Sequence, residues 1–208
     1  NSIEEARIQN EIENDYDYKL NFFVDDNDKV KIKIHRNEFD FGEEFEKIIE
    51  EAEFTEQDIN YFQDVPITID KDFTEIFKTR KSVSNSIGNF SGNVYFSKIT
   101  NTKKDKEKYY YKEISRKRIS PAFSGVKLYR DNFRVRPYGE SGTSNYDWLL
   151  LSSRKQKSPS AISDPNGKWR VSSEQMHGSI FISRLNLSLP DQSNREGIIE
   201  TLEFELFK

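Results

Sequence analysis

The chain predicts an α+β fold, with strands first and helices packed against one side of them. Three patterns carry this. Apolar and polar residues alternate on both sides of a turn in YKLNFFVDDNDKVKIKIHR (18–36) and again in GVKLYRDNFRVRPYG (125–139). In FGEEFEKIIEEAE (41–53), Phe45, Ile48, Ile49 and Ala52 recur at helical spacing. The last stretch, PDQSNREGIIETLEFELFK (190–208), puts Ile198, Ile199, Leu202, Leu206 and Phe207 on one helical face.

The elements divide into two units. In residues 1–84, DDND supplies the turn of the 18–36 hairpin, since Asp and Asn side chains bond to nearby backbone. The 41–53 helix keeps its carboxylates on a solvated face. TEQD (55–58) has the form of a helix cap ahead of INYFQ. VPITID (65–70) predicts a short strand, and Asp70 or Asp72 a cap for a short helix over FTEIFK. This unit is acidic, mixed α and β, and carries no chemical motif.

Residues 85–208 form the second unit. NSIGNFSGNVYFSKIT (85–100) predicts a strand punctuated by glycines, and NTKKDKEK (101–108) a charged loop. YYYKEISRKRIS (109–120) reads as the second strand of that hairpin or as a linker. In 125–139, Val126, Leu128, Phe133 and Val135 form the apolar set around an Arg-Asp-Asn turn. DWLLLSSRKQKSPSAISDPNGKW (147–169) predicts a strand end followed by a long basic loop, 152–168, with a tight turn at Asn166-Gly167. GSIFISRLNLSL (178–189) predicts another strand, which Pro190 stops before the final helix.

Composition limits the function classes. Apolar residues are 34% of the chain and charged residues 33%, so the surface is heavily solvated; aromatics at 13% supply the bulk for a core. The absence of cysteine removes disulfides, thiolate metal sites and cysteine nucleophiles, and fits a reducing cytoplasm. No apolar run approaches the ~18 residues of a membrane span, so no membrane partner is expected. The sequons at Asn89 and Asn186 read as accidental in that setting. A first residue Asn1 and a last stretch EFELFK without a helix stop signal lead us to expect a piece of a longer protein.

Charge is unevenly spread. Residues 1–76 hold 23 acidic and 8 basic residues, a net of −15, whereas residues 98–170 hold 7 acidic and 18 basic, a net of +11. Such asymmetry marks a nucleic-acid surface, a polyanion site, or two parts that face each other.

Chemical motifs are few. His35 and His177 lack ligand spacing and read as polar surface residues, so no metal site is expected. GESG (139–142) lacks the second glycine of a nucleophile elbow, no phosphate-binding glycine loop occurs, and no carboxylates form a recognisable pair. No catalytic residue is assigned. In DQSNREG (191–197), Ser193 and Glu196 have capping-box spacing, which makes Ser193 the N-cap, Asn194 the first helical residue and Arg195 the second. A cation in a first turn opposes the helix dipole by a few tenths of a kcal/mol, roughly. A bound anion would supply a reason for Arg195, so the spacing leaves both a cap and an anion site open.

SGVKLYRDNFRVRPYGE (124–140), DWLLL (147–151) and LPDQSNREGIIE (189–200) together resemble the segment after the nucleotide-binding domain in bacterial ATP-binding proteins of the gyrase, heat-shock-chaperone, histidine-kinase and MutL (GHKL) superfamily, which are also similar to the MORC ATPases. The likeness is strong over 124–140 and 189–200, loose over 85–123 and absent over 1–84. SNREG is also similar to the S-R-E motif in the middle domain of the ninety-kilodalton heat-shock chaperone. The resemblance implies a transducer with the fold of domain 2 of ribosomal protein S five, a mostly antiparallel sheet with helices on one face, over 85–208. It implies that Arg195 senses an ATP γ-phosphate, with Gln192 and Asn194 as polar helpers. The superfamily's adenine motif, D-x-G-x-G, and its helix with a Glu and an Asn are not found here. ATP and Mg would therefore be held by an N-terminal nucleotide-binding domain of the same protein, and this chain alone would not hydrolyse ATP. The loop 152–168 is longer and more basic than the family pattern. A homodimer fits the same reading. The alternative from another class is a nucleic-acid- or protein-binding module that uses the basic region 98–170.

Overall fold

The computed structural model describes residues 16–27, 29–36, 67–72, 87–98, 103, 123–156, 170–193 and 196–208. The alternating stretch 18–36 forms the expected hairpin, β1 (Tyr18–Val24) and β2 (Lys29–Arg36), in which Tyr18 faces Arg36 and Val24 faces Val30. Its turn is closed by Asp25, whose carboxylate accepts from the Asn27 and Lys29 amides at 2.8 and 3.0 Å. This is the local bonding for which turns select aspartate. VPITID becomes β3 (Ile67–Asp72), and the glycine-punctuated stretch becomes β4 (Phe90–Phe96). GVKLYRDNFRVRPYG becomes β5 (Gly125–Arg130) and β6 (Phe133–Val135), and the late strand is β7 (Met176–Ile182). Two six-residue α-helices, α1 (Leu151–Gln156) and α2 (Leu202–Phe207), and a 3-10 turn at Ser173–Gln175 complete the described elements. Asp70 and Asp72, expected to cap a helix, belong instead to β3. The helix expected over 41–53, the cap at 55–58 with its helix, the helix over 73–78, the loop 101–108 apart from Lys103, the segment 109–120 and the turn at Asn166-Gly167 lie outside the described residues.

The strands form one seven-stranded sheet in the order β3-β2-β1-β4-β7-β5-β6. All neighbours are antiparallel except β5 and β7, which run parallel with Leu128 beside Ile180. Strands from both sides of residue 84 thus share one sheet. The α+β class holds, as a mixed sheet with few helices.

Period-two alternation gives the sheet two unlike faces. One carries Val94, Val126, Leu128, Ile180 and Ile182 and is covered by Tyr138, Trp148, Leu189, Ile198 and Phe204. The covering rings interlock: Trp148 and Phe204 are parallel to within 3° at 6.4 Å, and Phe207 meets Phe90 edge-on at 4.9 Å. Gly92 makes room for the Phe22 ring, which a Cβ there would approach to 2.4 Å. The opposite face carries Tyr95, Lys127, Tyr129, His177 and Ser179, all buried.

Five further expectations change in the folded chain. Phe133 is 80% exposed, because β6 is a three-residue edge strand whose first residue pairs with Arg130 at the rim, where nothing packs over it. DWLLL is a turn leading into α1 and not a strand end. The strand expected to reach residue 189 stops at Ile182, well before Pro190. Asn186 then holds the following turns, donating to the Asn89 carbonyl at 3.2 Å and accepting from the Ser188 amide at 3.1 Å. The final helix starts at Leu202, so Ile198 and Ile199 precede it. His177 is buried on β7, not a surface residue.

Burial, and next the Lys127 charge, hold the His177 imidazole down from its ordinary 6.5 to about 4. The folded state therefore keeps it neutral, while the unfolded chain takes up a proton near 6.5. Its contribution to stability is complete above pH 6.5 and is lost as the pH falls towards 4. Urea unfolding of the intact chain at pH 7.5 and 4.5 should show a loss of roughly 2–3 kcal/mol that His177→Gln largely removes. Equal losses in the two proteins would exclude His177 as the source.

Candidate functional site

The described residues of DQSNREG, 191–193 and 196–197, are non-helical and are clasped at a neck, so the last helix does not begin at Ser193. Asp191 and Ile198 form an antiparallel bridge. The Gln192 amide donates to the Gly197 carbonyl at 2.8 Å, and the Ile199 amide to the Pro190 carbonyl at 2.9 Å. The Gln192 side chain donates to the Ile198 carbonyl at 3.4 Å. These bonds hold the two ends of the loop together and project Ser193 and Glu196, both exposed. Asn194 and Arg195 lie outside the described residues. Gln192 is thus the one expected site residue whose placement is described, at the loop's base.

The cap expected at Ser193 belongs instead to Thr201. Its hydroxyl accepts from the Phe204 amide at 3.2 Å, with extended backbone at Thr201. The reason is competition from the core. Ile198 is fully buried, and its backbone is engaged in the neck bridge, so a helix cannot begin until the chain has left that clasp.

Arg130, at the end of β5, grips the chain on the near side of this loop. Its Nε donates to the Asp191 carboxylate at 2.7 Å, Nη1 donates to the Ser183 carbonyl at 3.0 Å, and Nη2 donates to the Leu189 carbonyl. The guanidinium is nearly buried, with its side chain 10% exposed, whereas Asp191 is 36% exposed. A charge taken out of water needs such partners, and the ionic one shortens and strengthens the contact. Its strand register makes the placement inevitable: Val126, Leu128 and Arg130 share one face of β5, so the third of them points a cation towards the core side. That parity is the signal in the sequence that marks Arg130 as a core-side cation.

A second anchor reaches the far side of the neck. Tyr138 accepts from the Ile198 amide at 3.2 Å. Burial raises the pKa of its phenol above the ordinary 10.0, so the hydroxyl stays neutral at physiological pH. Tyr138 is placed by a turn at Gly139, where φ is +69° and a Cβ would strike the Val126 carbonyl oxygen at 2.1 Å. The role of GESG is therefore this close approach, since only glycine lacks the Cβ.

Asp147 performs a structural task nearby. Its carboxylate accepts from the Leu151 amide at 2.7 Å, the Ser152 amide at 3.1 Å and the Ser153 amide at 3.3 Å, and from the Ser173 hydroxyl. It caps α1 and ties it to the chain leading into β7.

The basic region 98–170 is less basic on its surface than its total suggests, because Lys98, Lys127 and Arg130 are buried. Most of the loop 152–168 lies outside the described residues. Among the described residues, no three His, Asp or Glu side chains group as a metal site, and no helix is long and apolar enough to cross a membrane. Comparison of the chain with protein-family models, curated proteins and solved structures finds no match.

The position of the cap is directly testable. Thr201→Ala should lower stability by about 1 kcal/mol and Ser193→Ala by almost nothing, read from urea midpoints. The reverse order would restore the helix start at Ser193.

Proposed function

We propose that this chain is the non-catalytic transducer region of a GHKL-type ATPase, with residues 85–208 folded like domain 2 of ribosomal protein S five. In this reading ATP and Mg are held by a nucleotide-binding domain of the same protein that precedes this chain, and Arg195 approaches the γ-phosphate from the loop 191–198. The observation that supports it is the clasped loop: a segment that carries Arg195 in sequence between two backbone-bonded ends, strapped to the end of a buried strand by Arg130.

The chemistry of such a loop is simple. A guanidinium meets phosphate oxygens through parallel, charge-assisted hydrogen bonds, and its planar fork suits two oxygens at once. It performs no bond-making step; it stabilises charge and reports whether the terminal phosphate is present. Gln192 and Asn194 add neutral donors, although the Gln192 amide already spends one N–H on Ile198. Because the neck is bonded to β5 through Arg130, which also holds the turn after β7, a pull on the loop is passed to the sheet and not absorbed by a slack tether. Closure of a two-copy assembly around ATP is one movement this arrangement would drive.

In the longer protein, Arg195→Ala should lower the ATPase kcat by about tenfold or more, with the ~10³–10⁵ of an arginine finger as the upper bound, and weaken ATP-dependent closure. ATPase rate and closure both at wild-type level would remove the sensing role.

A further inference from the structure

We infer that Arg130 and Asp191 are positioning residues for this phosphate-sensing loop, an inference that rests on the function proposed above. The grip of Arg130 has two unequal parts. Two of its nitrogens hold the Ser183 and Leu189 carbonyls, which belong to the chain entering the loop and not to the loop itself. Only Nε reaches the neck, through the Asp191 carboxylate. Asp191 is also the residue that bridges Ile198, so the ion pair and the neck bridge meet at one position.

This division gives the pair a role beyond holding the fold. Without the Asp191 carboxylate, Arg130 loses its counter-ion at Nε but keeps two carbonyl acceptors that hold it in place, while Leu189 and Ile198 remain packed in the core. What is lost is the ionic tie between the end of β5 and the neck. The loop then keeps its backbone bonds but loses the reference that fixes its direction relative to the sheet. An interaction with a phosphate needs placement within a fraction of an ångström, so a loosened mount weakens sensing even though Asp191 touches no ligand.

Asp191→Ala separates these effects, because it leaves Arg130 in place. Amide exchange by NMR on the intact chain should show Gln192 and Ile199, whose amides close the neck, exchanging about tenfold faster or more, with the amides of Asp131 and Gly139 unchanged. Asp191→Glu, which restores a carboxylate, should recover much of the protection. Unchanged exchange at the neck, or an equal rise at Asp131 and Gly139, overturns the anchoring. In the longer protein, Asp191→Ala should lower the ATPase kcat with little change in the KM for ATP, and should add nothing when combined with Arg195→Ala. Fully multiplicative losses in the double variant overturn the positioning role. If Arg195→Ala alone has no effect, the sensing function falls, and the exchange measurement still decides whether Asp191 anchors the neck.

Discussion

A guanidinium removed from water must be surrounded by acceptors, and Arg130 settles the route of the last quarter of the chain by that requirement. Every residue of β5 is buried, and Arg130 lies at its end on the same face as Val126 and Leu128. The acceptors it finds, at Ser183, Leu189 and Asp191, are all on the segment after β7. Once these are bound, that segment has to cross the end of β5 before it can go elsewhere. Leu189 and Ile198 then fall into the core on either side of the loop, and α2 follows with Phe204 fully buried.

The aromatic layer answers the same constraint in a different way. Trp148 and Tyr138 are large enough to cover the sheet, but each brings a polar atom with it. The Trp148 Nε1–H donates to the Val126 carbonyl at 2.7 Å, and the Tyr138 oxygen accepts from the Ile198 amide at 3.2 Å. Both bonds tie a ring to backbone, so the layer that supplies apolar burial also pins β5 on one side and the loop neck on the other. The loop is thus held from two directions by groups whose first duty is to the core. The neck is thereby mounted on the sheet, and the rings supply the stiffness behind it.

Charge tells a related story. The basic excess of the middle of the chain includes residues that the fold uses internally. Lys127 and Arg130 stand on opposite faces of β5, one beside His177 and the other beside Asp191. Cations that look like a binding surface when summed along a sequence are here part of the interior. On the far side of the sheet, exposed Lys29, Lys31 and Lys33 belong to β2, in the acidic part of the chain. A net charge counted over a segment therefore says little about which face carries it.

The sequence by itself determined the strands wherever a period of two ran for several residues between turn formers. The 18–36 hairpin, β3, β4 and the β5–β6 pair are set by neighbours within a few positions, and Asp25 closes its turn with bonds two and four residues away. Local spacing in DQSNREG predicts the start of the last helix. It misread the form of that stretch, because S-x-x-E spacing describes a helix start only when the backbone is free to turn into one. Here the Asp191–Ile198 bridge occupies that backbone, and the choice is made by a residue 61 positions earlier. The exposure of Phe133, the burial of His177 and the late start of α2 are decisions of the same kind. Each depends on which strand lies beside which, on how far an edge strand extends, and on what must cover a buried charge, and these long-range facts have no signature in a short window of sequence.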